Sequence, residues 1–405
     1  MNVDRMRAID RRVGVPLCFL LTQLLRLFGR RKTAMATPER VLFIELSEMG
    51  STILADPAMK KARRLWDAEL FFVIFADNRG SLDFLATVPK PNIYTLRVDN
   101  LFRLALDTLG FLIWTRRNRI DTVIDLELFS RFTALLTGAS GAERRVGYHR
   151  FHNEGLYRGE MLTHRVAYNP HIHIAKNFIA LINALSAKSE EIPYSKTLIE
   201  DEEIRLDRVS VDEAARAEMA RKVAAAAPLY GEQKLRLVLL NPNASEMLPQ
   251  RRWPAEHFAK LARDMLIRWP DLLILVTGAP SEREEAVALV KRIDNPRVVN
   301  FAGHSRLDQL PALYSLASLM ITNDSGPGHF AAVTDMPTIA LFGPETPALY
   351  GSLGVNARSL TAGLACSPCV TAHNHRKTAC TRPVCMSAIS PAMVLSAAAE
   401  FLKPH

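Results

Sequence analysis

The sequence predicts an α/β protein of two domains, each with a parallel sheet, preceded by an N-terminal amphipathic helix. From Val41 onward, short apolar runs alternate with longer amphipathic stretches. The runs are apolar at successive rather than alternate positions, as in strands covered on both faces. The 405 residues also exceed one ordinary core, at roughly 100 to 200 residues per domain. Apolar content of 48% and charged content of 23% exclude a disordered chain and a multi-span membrane protein.

The N-terminal segment, residues 1–38, is basic and apolar. Residues 1–40 hold nine Lys or Arg against three acids, six of the nine net positive charges of the chain. The apolar stretch Val13 to Phe28 is 16 residues long and is broken by Thr22, Gln23 and Arg26. A spanning helix needs about 20. Basic residues at both ends suit a helix lying on an anionic membrane surface. Two other readings stay open. One is a helix packed on the protein's own surface; the other is a cleaved signal peptide ending at Ala34-Met35-Ala36, although Arg30-Arg31-Lys32 intervenes. Charge concentrated beside an apolar helix disfavours nucleic acid as a partner.

The first domain, residues 39–210, offers strands at 41–46, 69–75, 92–96, 122–126 and 144–148, with helical stretches at Pro57 to Trp66 and Leu101 to Trp114. Residues 150–178 are dense in His, Arg and Tyr and are read as lining an acceptor site for an acidic or lipid-linked glycan. Its histidines and His149 have no firm metal spacing. Residues 211–234 contain an Ala-rich helix to about Ala226 and are read as a linker. The second domain, residues 235–405, repeats the pattern with strands at 236–242, 272–278, 297–303, 319–324 and 338–343. Two such halves are expected to leave a cleft where strand ends converge on a ligand. No residue-level internal repeat accompanies them.

The densest chemistry lies in Thr322 to Ala332, TNDSGPGHFAA. A strand ends at Asn323-Asp324 and a helix can begin at Pro327, since proline in the first turn loses no needed N–H. Gly326 and Gly328 let backbone approach a ligand, and the amides from about Ser325 to His329 would bind a phosphate or diphosphate. His329 adds a donor and Asp324 braces the turn. An ordinary capped βα turn would look the same. The other strands of this half end alike: a small-residue loop with Asn243 and Ser245 leads to Arg251-Arg252-Trp253-Pro254, Thr277-Gly278 leads to a helix start with Glu282, and Phe342 to Pro347 reads FGPETP.

These motifs carry a resemblance. Asp324-Ser325-Gly326-Pro327-Gly328-His329 followed by Phe342-Gly343-Pro344-Glu345-Thr346-Pro347 resembles the signature D-[ST]-G-x-x-H-x-A-A … P … A-L-F-G-P-T-x-P of glycosyltransferase family 9, the ADP-heptose:lipopolysaccharide heptosyltransferase family. Arg251 to Phe258 is similar to its K-x-W-P-x-E-x-[FW], and ELSEMGSTILADPAMKKARR to its opening [RK]-L-S-x-L-G-D-x-x-x-x-x-P-x-L. The resemblance covers about Val41 to the C-terminus. It implies a GT-B architecture of two Rossmann-like domains, an N-terminal acceptor domain and a C-terminal donor domain, and inverting transfer of heptose or a related sugar without an obligatory metal or other cofactor. It assigns the diphosphate to the Asp324, Ser325, Gly326 and His329 loop, and neutralisation of the departing nucleotide to Arg251. Asn243, Ser245, Gly278 and Glu282 complete the donor-binding candidates, with Glu282 toward a ribose or base. The implied partners are a nucleotide-diphosphate sugar and a lipopolysaccharide, polysaccharide or lipid-linked glycan, at the cytoplasmic face of the inner membrane. ADP-heptose is the family default, but no residue identifies adenine.

One departure bears on catalysis. Inverting transfer needs a base for the acceptor hydroxyl, and the family places an Asp after its Leu-Gly pair. Here Met49-Gly50 is followed by Ser51, whose hydroxyl is a poor base. Either another carboxylate takes over, with Glu48 first and then Glu127, Asp125 and Asp56, or the chain is a sugar-nucleotide-binding protein with little or no catalysis. At the C-terminus, Cys366, Cys369, Cys380 and Cys385, with His373 and His375 between, have a spacing that admits structural zinc, reduced thiols or labile disulfides.

Overall fold

In the computed structural model, the described residues are 3–28, 37–128, 130–152, 155–187, 195–371 and 376–403. The Arg30-Arg31-Lys32 and Ala34-Met35-Ala36 segments, with His373 and His375, lie outside them. The chain divides into two compact units, Met1–Arg205 and Leu206–His405.

The first unit holds strands β1 (Arg40–Ile44), β2 (Glu69–Phe75), β3 (Ile93–Leu96), β4 (Thr122–Asp125), β5 (Arg144–Tyr148) and β6 (His164–Val166), with helices α1 (Val3–Arg12), α2 (Gly14–Phe28), α3 (Met49–Trp66), α4 (Gly80–Leu85), α5 (Leu101–Arg117), α6 (Arg131–Ala139) and α7 (Ile174–Leu185). The second holds β7 (Arg236–Asn241), β8 (Leu272–Val276), β9 (Val298–Asn300), β10 (Ala317–Asn323), β11 (Thr338–Leu341) and β12 (Ala357–Leu360). Its helices are α8 (Glu213–Ala226), α9 (Pro228–Glu232), α10 (Ala255–Arg268), α11 (Arg283–Ile293), α12 (Leu310–Leu316), α13 (Gly326–Ala331), α14 (Pro347–Tyr350), α15 (Val384–Ser387) and α16 (Pro391–Phe401).

Both sheets are parallel. Their orders are β3-β2-β1-β4-β5-β6 and β12-β11-β10-β7-β8-β9, the same topology when the second is read from β9. In each, the strand order reverses beside the first strand, between β1 and β4 and between β7 and β10. Open α/β sheets bind ligands at the carboxyl ends of strands flanking such a reversal. The central strands are buried along most of their length, as their unbroken apolar runs require. Leu42, Phe71, Phe111 and Val123 centre one core, and Leu240, Phe258, Ile274 and Val394 the other.

Each predicted strand corresponds to an observed one. The two not foreseen, β6 and β12, are the short edge strands His-Arg-Val and Ala-Arg-Ser-Leu, which lack an apolar run. β6 falls inside the segment read as an acceptor-site lining. The expected boundary at 210 moves to Arg205, and residues 211–234 are not a free linker. They carry α8 and α9, α8 packs on α12, and Val209 N–H donates to Val333 O at 2.8 Å within the second unit.

The N-terminal segment forms two helices rather than one, and α2 is partly a surface element of the first unit. Gly14, Cys18 and Thr22, one turn apart, form a buried small-residue stripe against α6 and the loop at Gly159. A Cβ on Gly14 would come within 2.9 Å of Arg131 Cβ, so this close approach needs glycine. Thr22 Oγ1 donates to Cys18 O at 2.7 Å and accepts from Glu160 N–H at 3.0 Å. At the end of α1, Asp10 accepts the Arg131 and Phe132 amides and pairs with the Arg131 guanidinium at 2.9 Å, bracing the start of α6. The opposite face of α2 leaves Leu17, Phe19, Leu20, Leu24 and Leu27 exposed. No helix among the described residues is long and apolar enough to cross a membrane.

Candidate active site

The β1/β4 reversal gathers carboxylates. Glu45 ends the apolar run of β1 and is 4% exposed; Glu127 follows β4, and Asp125 ends it. Glu127 Oε1 accepts Leu46 N–H at 3.2 Å and Ser47 Oγ–H at 2.8 Å. Glu48 precedes the first turn of α3, where Ser51 Oγ–H donates to Glu48 Oε2 at 3.1 Å. Ser51 therefore sits against the residue ranked first as its replacement. Burial pushes the Glu45 carboxyl well above its ordinary range, and the charges of Glu127, Glu48 and Asp125 add to this, with a Glu127 hydrogen bond. Burial also raises Asp125 to about 6 although Arg158 pairs with it. Two buried carboxyls, Glu45 and Asp125, are thus held toward their protonated forms in this group. Asp56 stands apart, held by Lys60 at 2.6 Å and by the Thr87 hydroxyl. Glu45 was missed by the sequence reading. Its signal was a lone acid inside an otherwise buried strand run.

Beside Asp125 is a cavity of about 140 Å³ lined by Tyr148, His149, Arg150, Arg158 and Glu160 among others. It belongs to the segment read as an acceptor-site lining. His164 and His173 are instead structural: His164 lies buried in β6, and His173 Nδ1 caps α7 by accepting Ala175 N–H at 3.2 Å.

The β7/β10 reversal gathers the donor candidates. Asp324 follows β10, 5% exposed, with its N–H bound to Leu341 O at 3.0 Å. Arg251, 8% exposed, reaches Asp324 Oδ2 with Nη1 at 3.5 Å. The neighbouring Trp253 makes this possible: its indole N–H donates to Ile389 O at 2.9 Å, its ring packs on Phe258, and its backbone N–H donates to Asn323 Oδ1 at 3.0 Å. Asn323 in turn donates to Pro242 O at 2.7 Å. This residue, read from the sequence only as a strand end, ties the end of β7, the Arg-Arg-Trp-Pro loop and β10 together. Arg252 turns away to Ala244 O and Glu246, so the two arginines have different roles.

Ser325 starts α13 in extended conformation and makes no side-chain cap, but Pro327 has no N–H and Gly328 N–H donates to Ser325 O at 3.2 Å, so the row of amides expected from Ser325 to His329 is not available as a whole. Its hydroxyl bonds Thr322 Oγ1 at 3.1 Å. A Cβ on Gly326 would meet nothing nearer than 3.7 Å, so the protein leaves the space beside it open. His329 is buried at 8% exposure in α13. Asn243, Gly278 and Glu282 converge: a Cβ on Gly278 would lie 2.8 Å from both Asn243 Nδ2 and Glu282 Oε2. Glu282 Oε2 accepts Ala279 N–H at 2.6 Å, and burial raises its carboxyl. Ser245 is exposed and accepts Met247 N–H at 3.2 Å, a turn contact away from this group.

The sequence pattern of glycosyltransferase family 9 (heptosyltransferase) matches residues 115–379, more than half of the chain. The chain belongs to glycosyltransferase family 9. It is similar to lipopolysaccharide heptosyltransferase 2 of Salmonella typhimurium, 30% identical over 117 residues, which are 28% of this chain and 33% of the relative. Lipooligosaccharide heptosyltransferase 2 of Campylobacter jejuni is 31% identical over 184 residues, 44% of this chain and 54% of the relative. The matched regions thus span from a third to about half of these curated relatives. In fold, the chain resembles E. coli ADP-heptose lipopolysaccharide heptosyltransferase II, with a TM-score of 0.67, 19% identity, and coverage of 90% of this chain and 98% of that one. A family 9 glycosyltransferase from Veillonella parvula gives a TM-score of 0.67 at 20% identity, with 90% and 97% coverage. The α/β fold class of GT-B type is thereby the one expected from sequence.

In the cysteine tail, Cys366 is exposed, Cys385 is buried, and Cys369 Sγ lies 3.6 Å from Thr378 Oγ1. Burial pushes the Cys385 thiol up, and Cys369, Cys380 and Cys366 add to the shift. Among the described residues, no group of three or more His, Cys, Asp or Glu is arranged to hold a metal ion.

Proposed function

We propose that this family 9 protein is an inverting glycosyltransferase that moves heptose or a related sugar from a nucleotide-diphosphate donor to a lipopolysaccharide, polysaccharide or lipid-linked glycan. The observation that carries the reading is the buried Arg251 held against the Asp324 loop where the second sheet reverses, with open space at Gly326. A guanidinium beside open space suits a diphosphate. In the first unit, Glu48 is the base. Ser51 donates to it and fixes its orientation, while a raised Glu45 nearby keeps the local negative charge down. Glu48→Gln should lower turnover about 100-fold or more, with nucleoside-diphosphate affinity unchanged. Unchanged turnover would reject Glu48. Absence of product from the wild-type protein with any matched donor and acceptor, despite nucleotide binding, would favour the non-catalytic alternative.

The protein acts from the cytoplasmic face of the inner membrane, with the exposed apolar face of α2 lying in the headgroup layer and arginines such as Arg11, Arg12 and Arg26 toward anionic lipid. α5 supports this placement. It is a neighbour of α6, as α2 is, and exposes Leu101, Phe102, Leu106, Leu109 and Ile113.

A further inference from the structure

Glu345 follows β11, whose neighbour β10 leads into Asp324, and is 2% exposed. Its Oε1 accepts Arg376 Nε–H at 2.8 Å, and the Arg376 guanidinium lies over Tyr350 at 5.0 Å. Its Oε2 is buried with no hydrogen-bond partner among the described residues. Arg251 Nε is in the same condition, although its Nη1 reaches Asp324. The two side chains belong to one charged cluster. Burial raises the Glu345 carboxyl, Arg376 opposes this, Asp324 adds to it and Arg251 opposes it.

A buried acceptor and a buried donor left unmade each forfeit the hydrogen bond water gave them, and native proteins leave few of them. A carboxylate oxygen requires a hydrogen donor, and a guanidinium N–H requires an acceptor. One ligand supplies both: a polyol joined to a phosphate.

Deepening the transferase reading and resting on it, we propose that Glu345 Oε2 accepts a hydroxyl of the donor's sugar while Arg251 Nε meets a diphosphate oxygen. Glu345 is then a specificity-determining residue for a neutral, hydroxyl-rich sugar. With Asp324 beside it, the same place repels a uronate.

The test compares the affinities of ADP, GDP, UDP and dTDP with those of their neutral-sugar conjugates, including ADP-heptose, by calorimetry on the full chain. The proteins are wild type, Glu345→Gln and Glu345→Thr. The ratio of conjugate to bare-diphosphate affinity should fall about tenfold or more in both variants, and UDP-glucuronate should gain affinity in Glu345→Gln. A ratio unchanged in both variants, with diphosphate binding intact, overturns the role of Glu345 alone. Failure of every diphosphate to bind wild type overturns the donor-site reading as well. Arg376→Met separates a merely structural role: if it lowers the ratio as much as Glu345→Gln does, the pair only shapes the loop and the proposal fails.

Discussion

Arg158→Met should destabilise the first unit far more in mild alkali than in mild acid. Arg158 is buried, pairs with Asp125, and donates to Ser130 O and Thr133 Oγ1, each at 2.9 Å. Asp125 is wholly buried, and its carboxyl titrates at about 6 instead of 3.8 even with the guanidinium present. That displacement corresponds to about 3 kcal/mol. Because the folded value lies above the unfolded one, the contribution is complete below 3.8 and is lost as pH rises through about 6. Without Arg158 the carboxyl is pushed higher still. At about pH 5 it stays protonated, and the variant loses the hydrogen bonds to Ser130, Thr133 and a neutral Asp125, about 1–3 kcal/mol. At about pH 8 it must either bury an unpaired carboxylate or take up a proton, a cost of about 3–5 kcal/mol. Amide exchange resolved over β4 and α6, corrected for intrinsic rates, isolates this unit from the other. The loss of protection relative to wild type should be about 30-fold larger at the higher pH, for an excess of about 2 kcal/mol. Equal losses at both pH values would refute the argument that Arg158 acts through the charge of Asp125.

Gly326→Ala should leave stability within about 1 kcal/mol, since its Cβ meets only Phe330 at 3.7 Å. Nucleoside-diphosphate affinity should nevertheless fall about tenfold, read by thermal melts beside calorimetry; parallel losses would make the glycine structural. Gly278→Ala is the contrast. A Cβ within 2.8 Å of Asn243 and Glu282 should cost about 1–3 kcal/mol of stability, seen as a lower denaturation midpoint without ligand. Phe19→Glu with Leu20→Glu should abolish most co-sedimentation with vesicles containing phosphatidylglycerol and leave the melting of the protein nearly unchanged. Equal wild-type binding to vesicles of phosphatidylcholine alone would remove the role of the arginines.

The sequence was most legible where one segment carries its own signal. Continuous apolar runs revealed the central strands, and the Asp324 loop and Arg-Arg-Trp-Pro stretch announced themselves by composition. What remained hidden depends on partners distant in the chain. Asn323 joins Trp253 and Pro242, 70 and 81 positions away, and Glu345 meets Arg376 across 31. A lone Asn in a strand or a Glu after one does not disclose such contacts. The N-terminal helix was half legible: its apolar length suggested a surface helix, whereas its attachment depends on Gly14, Cys18 and Thr22 matching α6 and the Gly159 loop. The edge strands β6 and β12 escaped because an edge needs no apolar run to be covered.

The shared strand order of the two sheets carries different chemistry in its two copies. The same architectural slot holds carboxylates in one unit and a guanidinium in the other. Duplicated topology therefore fixes where a site forms and leaves its polarity to the residues at the strand ends.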